Sequence, residues 1–196
     1  MKLGNEQKLV GRAKRGDRDA FMTLIQPYHE RVHATAVRLL GNADDAAEVT
    51  QEAILRTFWH IQSFHGHAHF YTWLYRTALN LCYRRLSDAH AKIQRRSFSL
   101  DQPLEEEGDT PREPVLPNRQ MSPREGAQRH EEMDLVRRAL AGLDRKDFKI
   151  LVLREFEELS YEEISNRLNL SKGTVMSRLH RARESLAQRL NELGIE

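Results

Sequence analysis

Five of the six prolines in this 196-residue chain, Pro103, Pro111, Pro114, Pro117 and Pro123, fall in one short stretch. Each removes a backbone N–H and fixes φ, so neither a helix nor a strand persists through residues 97–125. Asp101, Glu105, Glu106, Glu107 and Asp109 add mutually repelling charge to its first half. The stretch therefore reads as a flexible linker. It divides the chain into a domain at 1–96, a linker at 97–130 and a second domain at 131–196. Both flanks place apolar residues at helical spacing and show no alternating strand pattern. The expected fold is all-α: two small helical domains on a tether.

Composition limits what these domains can be. Hydrophobic residues make up 39% and charged residues 31%, enough for small cores but not one large one. The formal net charge of +2 argues only weakly for nucleic acid, so the distribution of charge matters more than its mean. Cys82 is the single cysteine, which excludes an intramolecular disulfide and a cysteine-based zinc site. No apolar run reaches membrane-spanning length, and the first residues lack the apolar core of a signal peptide. A cytoplasmic protein without membrane insertion is expected.

In the C-terminal part, Leu135, Val136, Ala139, Leu140 and Leu143 form one helical stripe, and Phe148, Leu151, Val152 and Phe156 the next. Then Ser160 can cap a helix, with Glu163 three residues later closing a capping box. Asn169 suits a left-handed turn position, and Ser171 is a second cap. Val175, Leu179, Ala182 and Leu186 follow at helical spacing, opposite Lys172, Gly173, Thr174, Ser177, Arg178 and Arg181. This is the pattern of a helix-turn-helix whose second helix has an apolar back and a front of small polar residues and arginines. Small residues let a backbone approach a DNA groove, and arginine can fork onto a guanine edge or a phosphate.

The N-terminal part reads as a bundle. A short helix from Glu6 ends at Gly16, a second runs from Ala20 to Leu40 through Pro27, and Asp44 and Asp45 start a third. The polar face of the third helix shows Asp45, Glu48, Gln51 and Glu52, either a solvated face or a dock for a basic partner. His65, His67 and His69 alternate around Gly66. A zinc ion would need a fourth ligand and a supporting shell, so a polar loop is expected, with no metal and no cofactor. Next, Phe70, Tyr71, Trp73, Tyr75 and Tyr83 are interleaved with Arg76, Arg84 and Arg85. Rings stack on unpaired bases while cations hold a phosphate track, although Phe70 and Trp73 also suit a core.

Two segments together resemble the extracytoplasmic-function (ECF) group of sigma-70-family bacterial sigma factors. One is Asp45-Ala-Ala-Glu-Val-Thr-Gln-Glu-Ala53 leading into Phe70-Tyr-Thr-Trp-Leu-Tyr-Arg-Thr-Ala-Leu-Asn80; the other is Leu159-Ser-Tyr-Glu-Glu-Ile164 leading into Gly173-Thr-Val-Met-Ser-Arg-Leu-His-Arg-Ala-Arg183. The resemblance implies sigma region 2, a linker and sigma region 4, acting with core RNA polymerase on promoter DNA. It assigns Asp45, Glu48, Gln51 and Glu52 to the clamp helices of the polymerase beta-prime subunit, and region 4 to the beta flap as well as DNA. It assigns His65, His67, Phe70, Tyr71, Trp73, Tyr75, Arg76, Asn80 and Arg84 to the minus-ten element. Lys172, Gly173, Thr174, Ser177, Arg178 and Arg181 go to the minus-thirty-five element, and an anti-sigma factor is an expected partner. His65 and His67 stand where relatives often carry an arginine and an acid, and Met176 where they often carry a basic residue. These departures bear on the promoter sequence rather than on the function.

Two other functions fit less of the chain. A dimeric helix-turn-helix regulator explains Leu159 to Arg183 but leaves the aromatic segment without a purpose, and no surplus apolar helix supplies a two-fold interface. An enzyme acting on nucleic acid would need a carboxylate cluster with a metal, or an activated nucleophile. Asp44, Asp45 and Glu48 crowd a helix start without a partner cluster, so no catalysis is expected.

Overall fold

A computed structural model describes residues 3–66, 69–98 and 123–194, with side chains placed for 5–66, 69–93 and 131–194. In the N-terminal domain the helices are α1 (Leu3–Lys14), α2 (Arg18–Leu40), α3 (Ala43–Trp59) and α4 (Phe70–Phe98), with a 3-10 turn at Ile61–Ser63. Most starts and stops are local. The Asp17 carboxylate accepts the Ala20 N–H at 2.9 Å, and the Asn42 side chain accepts those of Asp44 and Asp45. Gly41 ends α2 at φ 70°, donating its N–H to the Val37 carbonyl. Pro27 sits inside α2 on its exposed side, so the Thr23 carbonyl that loses its usual partner faces water.

The start of α4 is not local. Glu6, on α1, is buried and its carboxylate accepts the Phe70 N–H at 2.8 Å, capping α4 from across the bundle. Around this point Phe70 meets Phe21, Phe64 and Trp73 at ring separations of 6.3, 5.8 and 6.0 Å. Leu24, Leu39, Leu74 and Leu79 fill the rest of the core.

In the C-terminal domain the helices are α5 (Pro123–Ala141), α6 (Arg145–Leu151), α7 (Tyr161–Leu168) and α8 (Lys172–Glu192), with a π-helical turn at Val152–Phe156 between α6 and α7. α5 begins inside the stretch read as linker. Its opening proline suits the first turn, where the missing N–H would have had no helical partner. Phe148, Ile150, Leu151, Ile164, Val175 and Leu179 form the core of this domain.

The two domains are closed on each other. The Tyr83 ring of α4 lies 5.3 Å from that of Phe148, and its hydroxyl donates to the Leu143 carbonyl at 3.0 Å. The Arg137 guanidinium covers Gly41 so closely that a Cβ there would lie 2.1 Å from it, so that glycine serves both the left-handed turn and the domain contact. Among the described residues no helix is long and apolar enough to cross a membrane.

Candidate nucleic-acid interface

The acidic face of α3 forms as its spacing implies. Glu48, Gln51 and Glu52 are exposed and Asp45 is partly so. Arg85 of α4 bridges two of them, 3.2 Å from Asp45 and in contact with Glu48, while Glu52 pairs with Arg56. Leu55 and Trp59 continue the same stripe, and Trp59 is 68% exposed. Sequence reasoning passed over both, although the run 48, 52, 55, 59 carries the helical signal. Exposed tryptophan is a residue type enriched at protein interfaces.

The aromatic segment divides in two. Phe70 is fully buried by rings of its own domain and supports the surface from beneath. Trp73 is half-buried against Phe64 at 5.3 Å. Tyr71 and Tyr75 lie under the C-terminal domain. Arg31 and Arg167 sit on the Tyr71 ring at 5.0 and 5.1 Å, and Arg167 also reaches Tyr75 at 5.7 Å. Burial, with the nearby Glu157 carboxylate, pushes the Tyr71 hydroxyl up to about 12 and Tyr75 upward as well. Arg76 and Asn80 are half-buried, Arg84 is exposed beside Asp88 at 3.7 Å, and His65 lies exposed on the loop next to Gly66. His67 lies outside the described residues. Among the described residues no group of three or more His, Cys, Asp or Glu side chains is placed to hold a metal ion.

The helix-turn-helix has the expected local chemistry. Ser160 Oγ accepts the Glu163 N–H at 3.2 Å, and the Glu163 carboxylate accepts the Ser160 N–H at 2.8 Å. The Ser160 hydroxyl, which also donates to the Glu163 carboxylate at 2.7 Å, and then the Ser160 N–H hold that carboxyl below its ordinary range. Asn169 takes the left-handed turn at φ 55°, and Ser171 caps α8. Val175, Leu179 and Ala182 are buried, leaving Lys172, Gly173, Ser177 and Arg181 exposed and Thr174 and Arg178 half-exposed along one face. A Cβ on Gly173 would meet nothing within 4 Å, so nothing inside the molecule requires a glycine there. Gly173 lies in the first turn of α8, two residues after the Ser171 cap, where the lack of a side chain leaves room for close approach of another molecule.

Comparison with known proteins places these surfaces in a family. A profile described as Sigma-70 region 2 matches residues 24–92, and one described as Sigma-70, region 4 matches 133–186. The chain is 31% identical to the ECF RNA polymerase sigma factor SigW of Bacillus subtilis, over 95% of this chain and 97% of that protein. It is 33% identical to the ECF RNA polymerase sigma-E factor of Escherichia coli K12, over 96% and 95% of the two chains. The chain belongs to the ECF sigma factors. Two solved structures share the fold: CnrH in complex with the cytosolic domain of CnrY (TM-score 0.53, 21% identity, 96% of this chain and 98% of that one), and the sigma factor RpoE in complex with the anti-sigma factor NepR from Bartonella quintana (TM-score 0.50, 19% identity, 87% and 96%). Region 2 of this sigma factor therefore carries the acidic and aromatic surfaces, and region 4 the helix-turn-helix.

Proposed function

We propose that this ECF sigma factor joins core RNA polymerase through the Asp45, Glu48, Gln51 and Glu52 face, extended by Leu55 and Trp59, with the beta-prime clamp helices as the partner. Region 4 binds the beta flap and enters the minus-thirty-five major groove with Lys172, Gly173, Thr174, Ser177, Arg178 and Arg181. Region 2 holds the melted minus-ten strand with His65, His67, Tyr71, Trp73, Tyr75, Arg76, Asn80 and Arg84. The domain division is the one drawn from the sequence, with the linker lying between them inside the polymerase. The observation that carries this reading is the order of surfaces on one chain: an acidic helix face, an aromatic-cationic helix and a glycine-fronted recognition helix.

The work is done by binding, without covalent chemistry. Unstacking a base step costs a few kcal/mol, which a pocket for a flipped base and aromatic stacking offset. Groove contacts set the address, each good bidentate pair contributing about 1–3 kcal/mol of discrimination. The net charge of +2 is small for a DNA-binding protein, so the polymerase supplies much of the affinity and aligns the two domains. Such a protein acts in the cytoplasm, and the anti-sigma factor named as the partner in the RpoE structure makes a protein of that kind the expected regulator.

Co-elution with purified core polymerase tests the docking face. Wild-type protein is expected to co-elute, and Glu48→Arg/Glu52→Arg to separate from it. A dimeric operator-binding regulator would not depend on this face, and it would leave the matches along region 2 without a role.

A further inference from the structure

The segment joining α6 to α7 is more elaborate than a helix-turn-helix requires. Its π-helical turn, Val152–Phe156, widens the helix, and Glu158 is held at φ 53°, a conformation that favours glycine. Between them Glu157 is turned back onto α2, where its side chain is only 2% exposed. Three residues on one face of α2 receive the carboxylate. The Thr35 hydroxyl lies 2.7 Å from it, and the Arg31 and Arg38 guanidinium groups 3.0 and 3.3 Å away. Among the described residues neither arginine pairs with another carboxylate. Beside this cluster Arg167 lays its flat, delocalised cation over the Tyr71 and Tyr75 rings.

A compact anion held by two guanidinium groups and a hydroxyl, next to a planar group stacked on tyrosine, has the arrangement of a nucleotide: phosphate and base. A second observation points to a missing ligand. Arg76 Nε and Asn80 Oδ1, on the same helix as the two tyrosines, are buried with no hydrogen-bond partner. The closed form thus leaves polar groups unsatisfied, a cost that a polar ligand would remove.

We propose that Arg31, Thr35 and Arg38 form a seat for a phosphate of single-stranded DNA beside the Tyr71–Tyr75 platform, and that Glu157 and Arg167 fill this site in the free protein as internal stand-ins for phosphate and base. The inference rests on reading region 2 as the strand-binding domain. Masking is one-sided: Lys172, Gly173 and Ser177 stay exposed on α8 while the strand site is covered. The free protein therefore meets duplex DNA with region 4 but does not retain an unpaired strand. Separating the domains on core polymerase opens the seat.

The test is fluorescence anisotropy of a labelled mixed-sequence 12-nucleotide single strand with the full chain. Apparent affinity scales with the fraction of molecules in which the site is open. Glu157→Gln is expected to tighten binding about tenfold. Adding Arg31→Ala and Arg38→Ala should remove that gain and reduce the salt slope by about 0.7, the value for one phosphate on a single strand. Should Glu157→Gln fail to fold, as judged by circular dichroism, Arg167→Ala tests the same mask from the base side and is expected to tighten binding. Unchanged affinity in the folded variants would overturn the proposal, and so would a gain that survives loss of both arginines. Run-off transcription by core polymerase with the wild-type chain separates the two readings. If it succeeds while strand binding ignores Glu157 and Arg167, only the masking inference fails; if it fails, the strand-binding reading fails with it.

Discussion

Arg181 on α8 sits 3.1 Å from the carboxylate of Asp147 on α6, and that carboxylate is only 8% exposed. A residue that the helix pattern places on the DNA face is thus also a strut of region 4. Arg178, on the same face, has no such duty among the contacts described.

The two arginines should therefore separate experimentally. Arg181→Ala is expected to lower the stability of region 4 by about 1–3 kcal/mol, because it leaves a buried charge unpaired. Arg178→Ala should leave stability within about 0.5 kcal/mol and weaken promoter binding instead. Urea unfolding and holoenzyme binding to promoter DNA read the two effects. Equal stability of both variants would contradict the strut.

Gly173→Ala separates stability from function in the opposite direction. With nothing within 4 Å of the new methyl group, region 4 should gain roughly 0.5–1 kcal/mol. Promoter affinity should fall if the helix backbone approaches the groove here. A stabilised variant with unchanged promoter affinity would remove Gly173 from the interface.

Glu6→Ala tests the remote cap of α4. Loss of the bond to the Phe70 N–H should cost about 1–2 kcal/mol and lower the Tm of region 2 by roughly 4–16 °C. Because α4 carries the aromatic surface, the same variant should weaken single-strand capture by the holoenzyme.

These cases show where sequence reading reaches its limit. Ser160 with Glu163, Asn169 and Ser171 were legible because a cap or a turn is decided within about four residues. The polar front of α8 and the acidic stripe of α3 were legible because helical periodicity sorts faces. Periodicity does not rank residues that share a face. Phe70, buried by its own domain, and Tyr71, covered in part by the other domain, look alike in a string of letters. The Glu6 cap, the Arg181–Asp147 pair and the Glu157 cluster join residues far apart in sequence, so no local pattern announces them.

Lys149 gives the closed form a pH dependence. Burial first, then Arg145 and Arg76, push its ammonium down to about 8 from an ordinary 10.5. A depressed lysine penalises the folded state fully below its folded pKa, and the penalty fades as pH rises toward the unfolded value. The protein should therefore gain stability between pH 8 and about 10. Lys149→Met should be more stable than wild type at pH 7 and lose this gain. Urea unfolding at pH 7, 8 and 9 compares them, and parallel pH profiles would contradict the assignment.

The most direct test of the whole account is run-off transcription with purified core RNA polymerase, with and without this protein, on a pool of promoter fragments. New, specific start sites that require the protein are expected, and they should be lost with Glu48→Arg/Glu52→Arg. Binding of DNA by the protein alone, with no initiation by core enzyme at any fragment, would contradict it.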